Sequence, residues 1–93
     1  MEAFVELRIK DPVKGKEYSC KVSFTIYNNK ILSVDTVKVT YIYYYVTVDP
    51  QGYIRKLSVD TLWREGVAEL VEDDFNCIRR VAQCAFEHIK VNG

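Results

Sequence analysis

The sequence predicts an α+β fold: a four-stranded antiparallel β-meander followed by two C-terminal helices packed on one sheet face. Three observations carry that prediction. Apolar and polar residues alternate with period two along Ala3–Ile9 and Ser19–Tyr27. From Val37 to Val48 the chain runs Val-Lys-Val-Thr-Tyr-Ile-Tyr-Tyr-Tyr-Val-Thr-Val, without Gly, Pro or acid and almost wholly β-branched or aromatic. Beyond Asp60 the apolar residues recur at helical spacing.

In the first strand Ala3, Val5, Leu7 and Ile9 take one face, with Glu6, Arg8 and Lys10 on the other. Asp11-Pro12 ends it, because Pro cannot donate to a ladder and biases the residue before it toward extended backbone. A loop through Lys14-Gly15-Lys16 leads to the second strand, with Cys20, Val22, Phe24 and Ile26 inward. Asn28-Asn29-Lys30 is expected as a three-residue hairpin loop, which pairs Ile26 with Leu32 and Phe24 with Val34. Past Asp35-Thr36 the apolar parity changes, which predicts a bulge or bend.

Beyond that bulge the third strand reads on without a turn through Val37–Val48. It puts Tyr41, Tyr43 and Tyr45 toward the helices, and leaves Ile42, Tyr44, Val46 and Val48, with Ile54, as an uncovered apolar face. Asp49-Pro50-Gln51-Gly52 is a turn, with Pro at its second position and Gly where a left-handed residue is needed. Tyr53–Val59 returns as the fourth strand, Tyr45 facing Leu57 and Tyr43 facing Val59. Asp60 or Thr61 caps a short helix with Trp63, Val67, Leu70 and Val71 on its apolar side. Asp73 or Asp74 caps a second helix, whose stripe is Phe75, Ile78, Ala82, Ala85, Phe86 and Ile89, widened by Cys77, Val81 and Cys84.

The 93 residues suit one domain, 1–93. A hydrophobic content of 48% argues against disorder. Thirteen bases balance thirteen acids, so no fold-wide basic field for duplex nucleic acid exists. The charges are unevenly spread. Arg8–Lys21 holds five bases and two acids, and Glu65–Asp74 holds five acids and no base, which predicts a basic end and an acidic end. Nothing at the N-terminus resembles a signal peptide, no apolar stretch is long enough to cross a membrane, and the cysteines lack disulfide spacing; a cytoplasmic address is expected.

Candidate chemistry is sparse. Cys20, Cys77, Cys84 and His88 make a Cys3His metal site arithmetically possible, but no C-x2-C knuckle is present and cysteine is habitually buried, so core packing is the expectation and no metal or cofactor is assigned. A cysteine with His88 as its base lacks an orienting group, so no catalytic residue is assigned. Glu65, Glu69, Glu72, Asp73 and Asp74 sit at helical spacing, the pattern of a solvated face or of an acidic patch that docks on a basic partner.

These readings favour a non-enzymatic protein-binding module. It would be a small adaptor or inhibitor of the kind viruses and mobile elements encode. Its contacts would be Ile42, Tyr44, Val46, Val48 and Ile54, with Glu65, Glu69, Glu72 and Asp73, and it would self-associate as a homodimer. The alternative is single-stranded nucleic-acid binding, with bases stacked on sheet tyrosines and phosphates held by Arg8, Lys10, Lys14, Lys16 and Lys21. Four strands followed by helix is an order similar, in topology alone, to the Whirly group of single-strand binders; none of that group's motifs is present, so the resemblance implies no residue roles.

Overall fold

The computed structural model describes residues 1–60 and 70–92, with side chains through Lys90. Five antiparallel strands form one open sheet in chain order: β1 (Glu2–Lys10), β2 (Glu17–Tyr27), β3 (Lys30–Tyr41), β4 (Tyr44–Val48) and β5 (Ile54–Val59). One helix, α1 (Glu72–Asn92), lies across β1–β4. The fold class is as the sequence predicts; the element count is not. Five strands replace four, and one helix stands among the described residues. Of the expected first helix, the part with Trp63, Glu65, Val67 and Glu69 lies outside them, and Leu70 and Val71, its last apolar positions, are not helical.

The extra strand arises inside the Val37–Val48 run. Tyr41 pairs with Tyr44, so Ile42-Tyr43 is a two-residue turn and the run is a hairpin. Ile42 has φ +50°, at a position where hairpin turns ordinarily carry Gly. Tyr41↔Tyr44, Val39↔Val46 and Val37↔Val48 join odd residues to even ones. The apolar residues before and after the turn therefore share one face. This overturns the expectation of an uncovered apolar row. Tyr44, Val46 and Val48 are core residues beneath α1, Ile54 is half-buried beside them, and Ile42 projects at the turn. Of the tyrosines expected to face the helices, Tyr41 packs on the core, Tyr43 is exposed at the turn, and Tyr45 takes the opposite face.

Three apolar rows cross all five strands: Ile9, Tyr18, Tyr41, Tyr44 and Val59; Leu7, Cys20, Val39, Val46 and Leu57; Val5, Val22, Val37, Val48 and Ile54. Above them α1 lays Cys77, Ile78, Val81, Ala82, Ala85, Phe86 and Ile89, all buried, which is the stripe its periodicity predicts. Asp74 does not sit at the N-cap. It is the third helical residue, and its carboxylate accepts the backbone N–H of Val71 at 3.0 Å, half of a capping box.

Two hairpin registers also differ from expectation. Asn28 and Asn29, at φ +52° and +60°, form a two-residue loop. Phe24 meets Val34 as expected, but Ile26 meets Ile31, and Leu32 bulges out. The parity change near Asp35 is the predicted bulge: Asp35 has no cross-strand mate between Phe24↔Val34 and Ser23↔Thr36. In β4–β5, Val46 faces Leu57 and Tyr44 faces Val59, one residue from the expected register. Asp49-Pro50-Gln51-Gly52 turns as predicted, with the Gly52 N–H donating to the Asp49 carbonyl at 2.9 Å and Gly52 at φ +89°.

Candidate binding face of the sheet

With one face under α1, the other is left open by the described residues, and the same alternation that filled the core sets its composition. One row reads Glu6, Lys21, Lys38, Thr47, Lys56 from edge to edge; the next reads Arg8, Ser19, Thr40, Tyr45, Ser58; Phe4, Ser23 and Thr36 begin a third. Lysine, serine and threonine dominate its middle. Acids keep to the rim: Glu2 and Glu6 on β1, Glu17 at the start of β2, and Asp35 in the bulge, where its carboxylate accepts Thr25 and Ser33 hydroxyls at 3.0 and 2.9 Å.

Lys21 and Lys38 stand directly opposite one another on neighbouring strands. Like charges so placed repel. Their ammoniums splay apart onto aromatic rings. Lys21 Nζ is 3.9 Å from the centroid of Phe4, and Lys38 Nζ is 4.7 Å from that of Tyr45, which Lys56 also approaches, at 5.9 Å. Hydrogen bonding with Ser58, then the charge of Lys56, lowers the pKa of the Tyr45 hydroxyl. Phe4 is 56% exposed, so a second planar group can reach its ring.

The face is relieved by shallow depressions. One of about 550 Å³ is bordered by Glu6, Arg8, Ser19, Lys21, Lys38 and Thr40. Another of about 530 Å³ lies on the far side of Lys21, bordered by Glu2, Phe4, Ser23, Asp35 and Thr36. Cations, hydroxyl donors and aromatic faces together hold anions and flat rings. The single histidine, His88, is on α1 and not on this face.

Of the basic residues named from sequence, Arg8, Lys10 and Lys21 lie on this face. Lys14 and Lys16 do not: they sit in the β1–β2 loop, where Lys14 pairs with Asp73 at 3.4 Å and Lys16 with Asp74 at 3.9 Å. The stretches expected to form a basic end and an acidic end meet each other there. Glu72 is exposed at the start of α1. Lys38, Lys56, Phe4 and Tyr45 were missed. Their signal is the alternation of Lys and Thr with Val in β3 and β4, legible once the run is folded at Ile42-Tyr43.

The cysteines are unpaired, and Cys20 and Cys77 are buried. Burial raises both thiols, Cys20 to about 12. Among the described residues no three His, Cys, Asp or Glu side chains converge as metal ligands, and no helix is long and apolar enough to cross a membrane. No family model, curated protein or solved structure matches the chain.

Proposed function

We propose that the chain is a non-enzymatic binding module that holds single-stranded nucleic acid across the open face of its sheet. The opposed pair Lys21 and Lys38, each lying on an aromatic ring in the middle of a solvent-facing sheet, carries this reading. An anion seated between the two ammoniums relieves their repulsion. Phe4 and Tyr45 then offer stacking surfaces on either side, and Ser19, Ser23, Thr36 and Thr40 offer hydroxyls to phosphate and base edges. Neutral overall charge is no obstacle, since the lysines are central and the acids peripheral. Unpaired thiols fit the reducing cytoplasm.

The protein-binding reading, as an adaptor or inhibitor, loses its main surface, because Tyr44, Val46 and Val48 are core and Asp73 is engaged by Lys14. It keeps one feature: Ile42 and Tyr43, 68% and 53% exposed, form an apolar hairpin tip.

Fluorescence anisotropy with labelled oligothymidylate and oligouridylate tests the proposal. Binding is expected at low salt. The affinity should fall with a logarithmic salt slope of about −2, the value for roughly three phosphate contacts on a single strand. Absence of salt-sensitive binding at low ionic strength overturns it. Capture of one protein partner, lost on changing Ile42 and Tyr43 to Ser, would transfer the assignment to the hairpin tip.

A further inference from the structure

We infer that β1 pairs with β1 of a second copy of this chain, antiparallel about a two-fold axis at Leu7, so that two open sheets join into one of ten strands. The inference is independent of what the open face binds.

The backbone supplies the first argument. Met1 and Ile26 exchange both of their hydrogen bonds, at 3.0 and 2.8 Å, and the Asp11 N–H donates to the Lys16 carbonyl at 2.7 Å. Odd residues of β1 therefore bond to β2. The even residues Glu2, Phe4, Glu6, Arg8 and Lys10 turn their N–H and C=O groups outward. β1 is nine residues long, with no Pro and no bulge; the opposite edge, β5, has six residues and a bulge at Arg55. Among the described residues nothing pairs with the outer side of β1, and a long, regular edge of that kind is a template for another strand.

The side chains choose the occupant. Antiparallel pairing about Leu7 sets Glu6 against Arg8 of the second copy and Phe4 against Lys10, each twice by symmetry. Every charged residue in the overlap meets an opposite charge or an aromatic ring. Centring on Glu6 would instead put two glutamates face to face. All these pairs are even with even, so they fall where the outward backbone groups lie and give about eight inter-chain hydrogen bonds. Beneath them Val5 meets Ile9 and Leu7 meets Leu7. These are the edge residues that α1 leaves only half-buried. Both helices then lie on one side, and the basic face runs unbroken across the other.

The test is sedimentation equilibrium of the nucleic-acid-free full chain, with circular dichroism of every variant. Wild type should approach twice the 10.8 kDa monomer. Glu6→Arg and Arg8→Glu should each shift it toward monomer, and the double exchange should restore the dimer. With Cys20, the cross-strand neighbour of Leu7, changed to Ala so that it cannot capture the new thiol, Leu7→Cys, whose axial position brings two such residues into disulfide range, should cross-link on mild oxidation while Phe4→Cys does not. Monomer at every concentration, a dimer that survives both single exchanges, or no cross-link at position 7 overturns the inference. Oligonucleotide binding is measured separately: a monomer that binds it leaves the proposed function standing, and a dimer that does not leaves this pairing standing.

Discussion

Ile42 is the residue at which local preference and tertiary structure disagree most. A β-branched side chain at φ +50° is strained by about 1–2 kcal/mol, and at 68% exposure Ile42 gains little burial in return. Gly removes the strain but adds freedom to the unfolded chain, so Ile42→Gly should stabilise by a net of about 0.5 kcal/mol, read by urea denaturation. A clear loss would mean that Ile42 makes a contact the fold depends on. The thiols are set by a different local rule. Burial holds Cys20 and Cys77 in the inert thiol form. Native protein at mildly alkaline pH should therefore give no more than one equivalent with a thiol reagent, and all three cysteines should react in denaturant. Two or more native equivalents would show that α1 lifts from the sheet.

Among the elements, α1 is anchored to the β1–β2 loop by one buried polar device, beside the more exposed ion pairs of Lys14 with Asp73 and Lys16 with Asp74. Asp11 is fully buried, and its carboxylate accepts both Arg80 Nε at 2.8 Å and Nη2 at 3.0 Å, with the Lys14 N–H donating at 2.8 Å. The Arg80 hydrogen bonds hold the Asp11 pKa well below the ordinary carboxylate range, outweighing its burial. A depressed carboxylate contributes stability that is present above the unfolded pKa near 4 and lost as pH falls toward the folded value. Wild type should therefore lose stability progressively below about pH 5. Asp11→Asn should lower the thermal midpoint at neutral pH by roughly ten degrees and flatten that acid limb; an unchanged limb would assign the acid response to other carboxylates. This pairing spans 69 residues, and nothing local foretold it. What the sequence made legible was periodic: the β1 and β2 faces, the bulge at Asp35, the turn at Asp49-Pro50 and the α1 stripe. The β3–β4 turn was hidden because no Gly, Asn or Pro marks it. Its trace is the shift of Val from odd positions 37 and 39 to even positions 46 and 48, and reading the run as one strand turned the core row outward.

For the molecule as a whole, zero net charge conceals a sorted distribution. Lys14 and Lys16 neutralise Asp73 and Asp74 beside α1, while Lys21, Lys38 and Lys56 remain together on the open face. Folding alone would not select the apposition of Lys21 and Lys38. That gives a test in which stability and binding separate. Lys38→Glu turns a repulsive cross-strand pair into an attractive one, worth up to about 1 kcal/mol, and gives up the cation–π contact with Tyr45, of similar size. The thermal midpoint should stay within a few degrees of wild type or rise. A strand of phosphates meets the reverse situation: a cation is lost and an anion gained at the centre of the face, and affinity should fall about tenfold or more with a shallower salt slope. If binding fell only in step with stability, Lys38 would be acting through the fold. If stability fell while binding held, the opposed lysines would be a structural feature of the sheet, and the binding surface would lie away from Lys38.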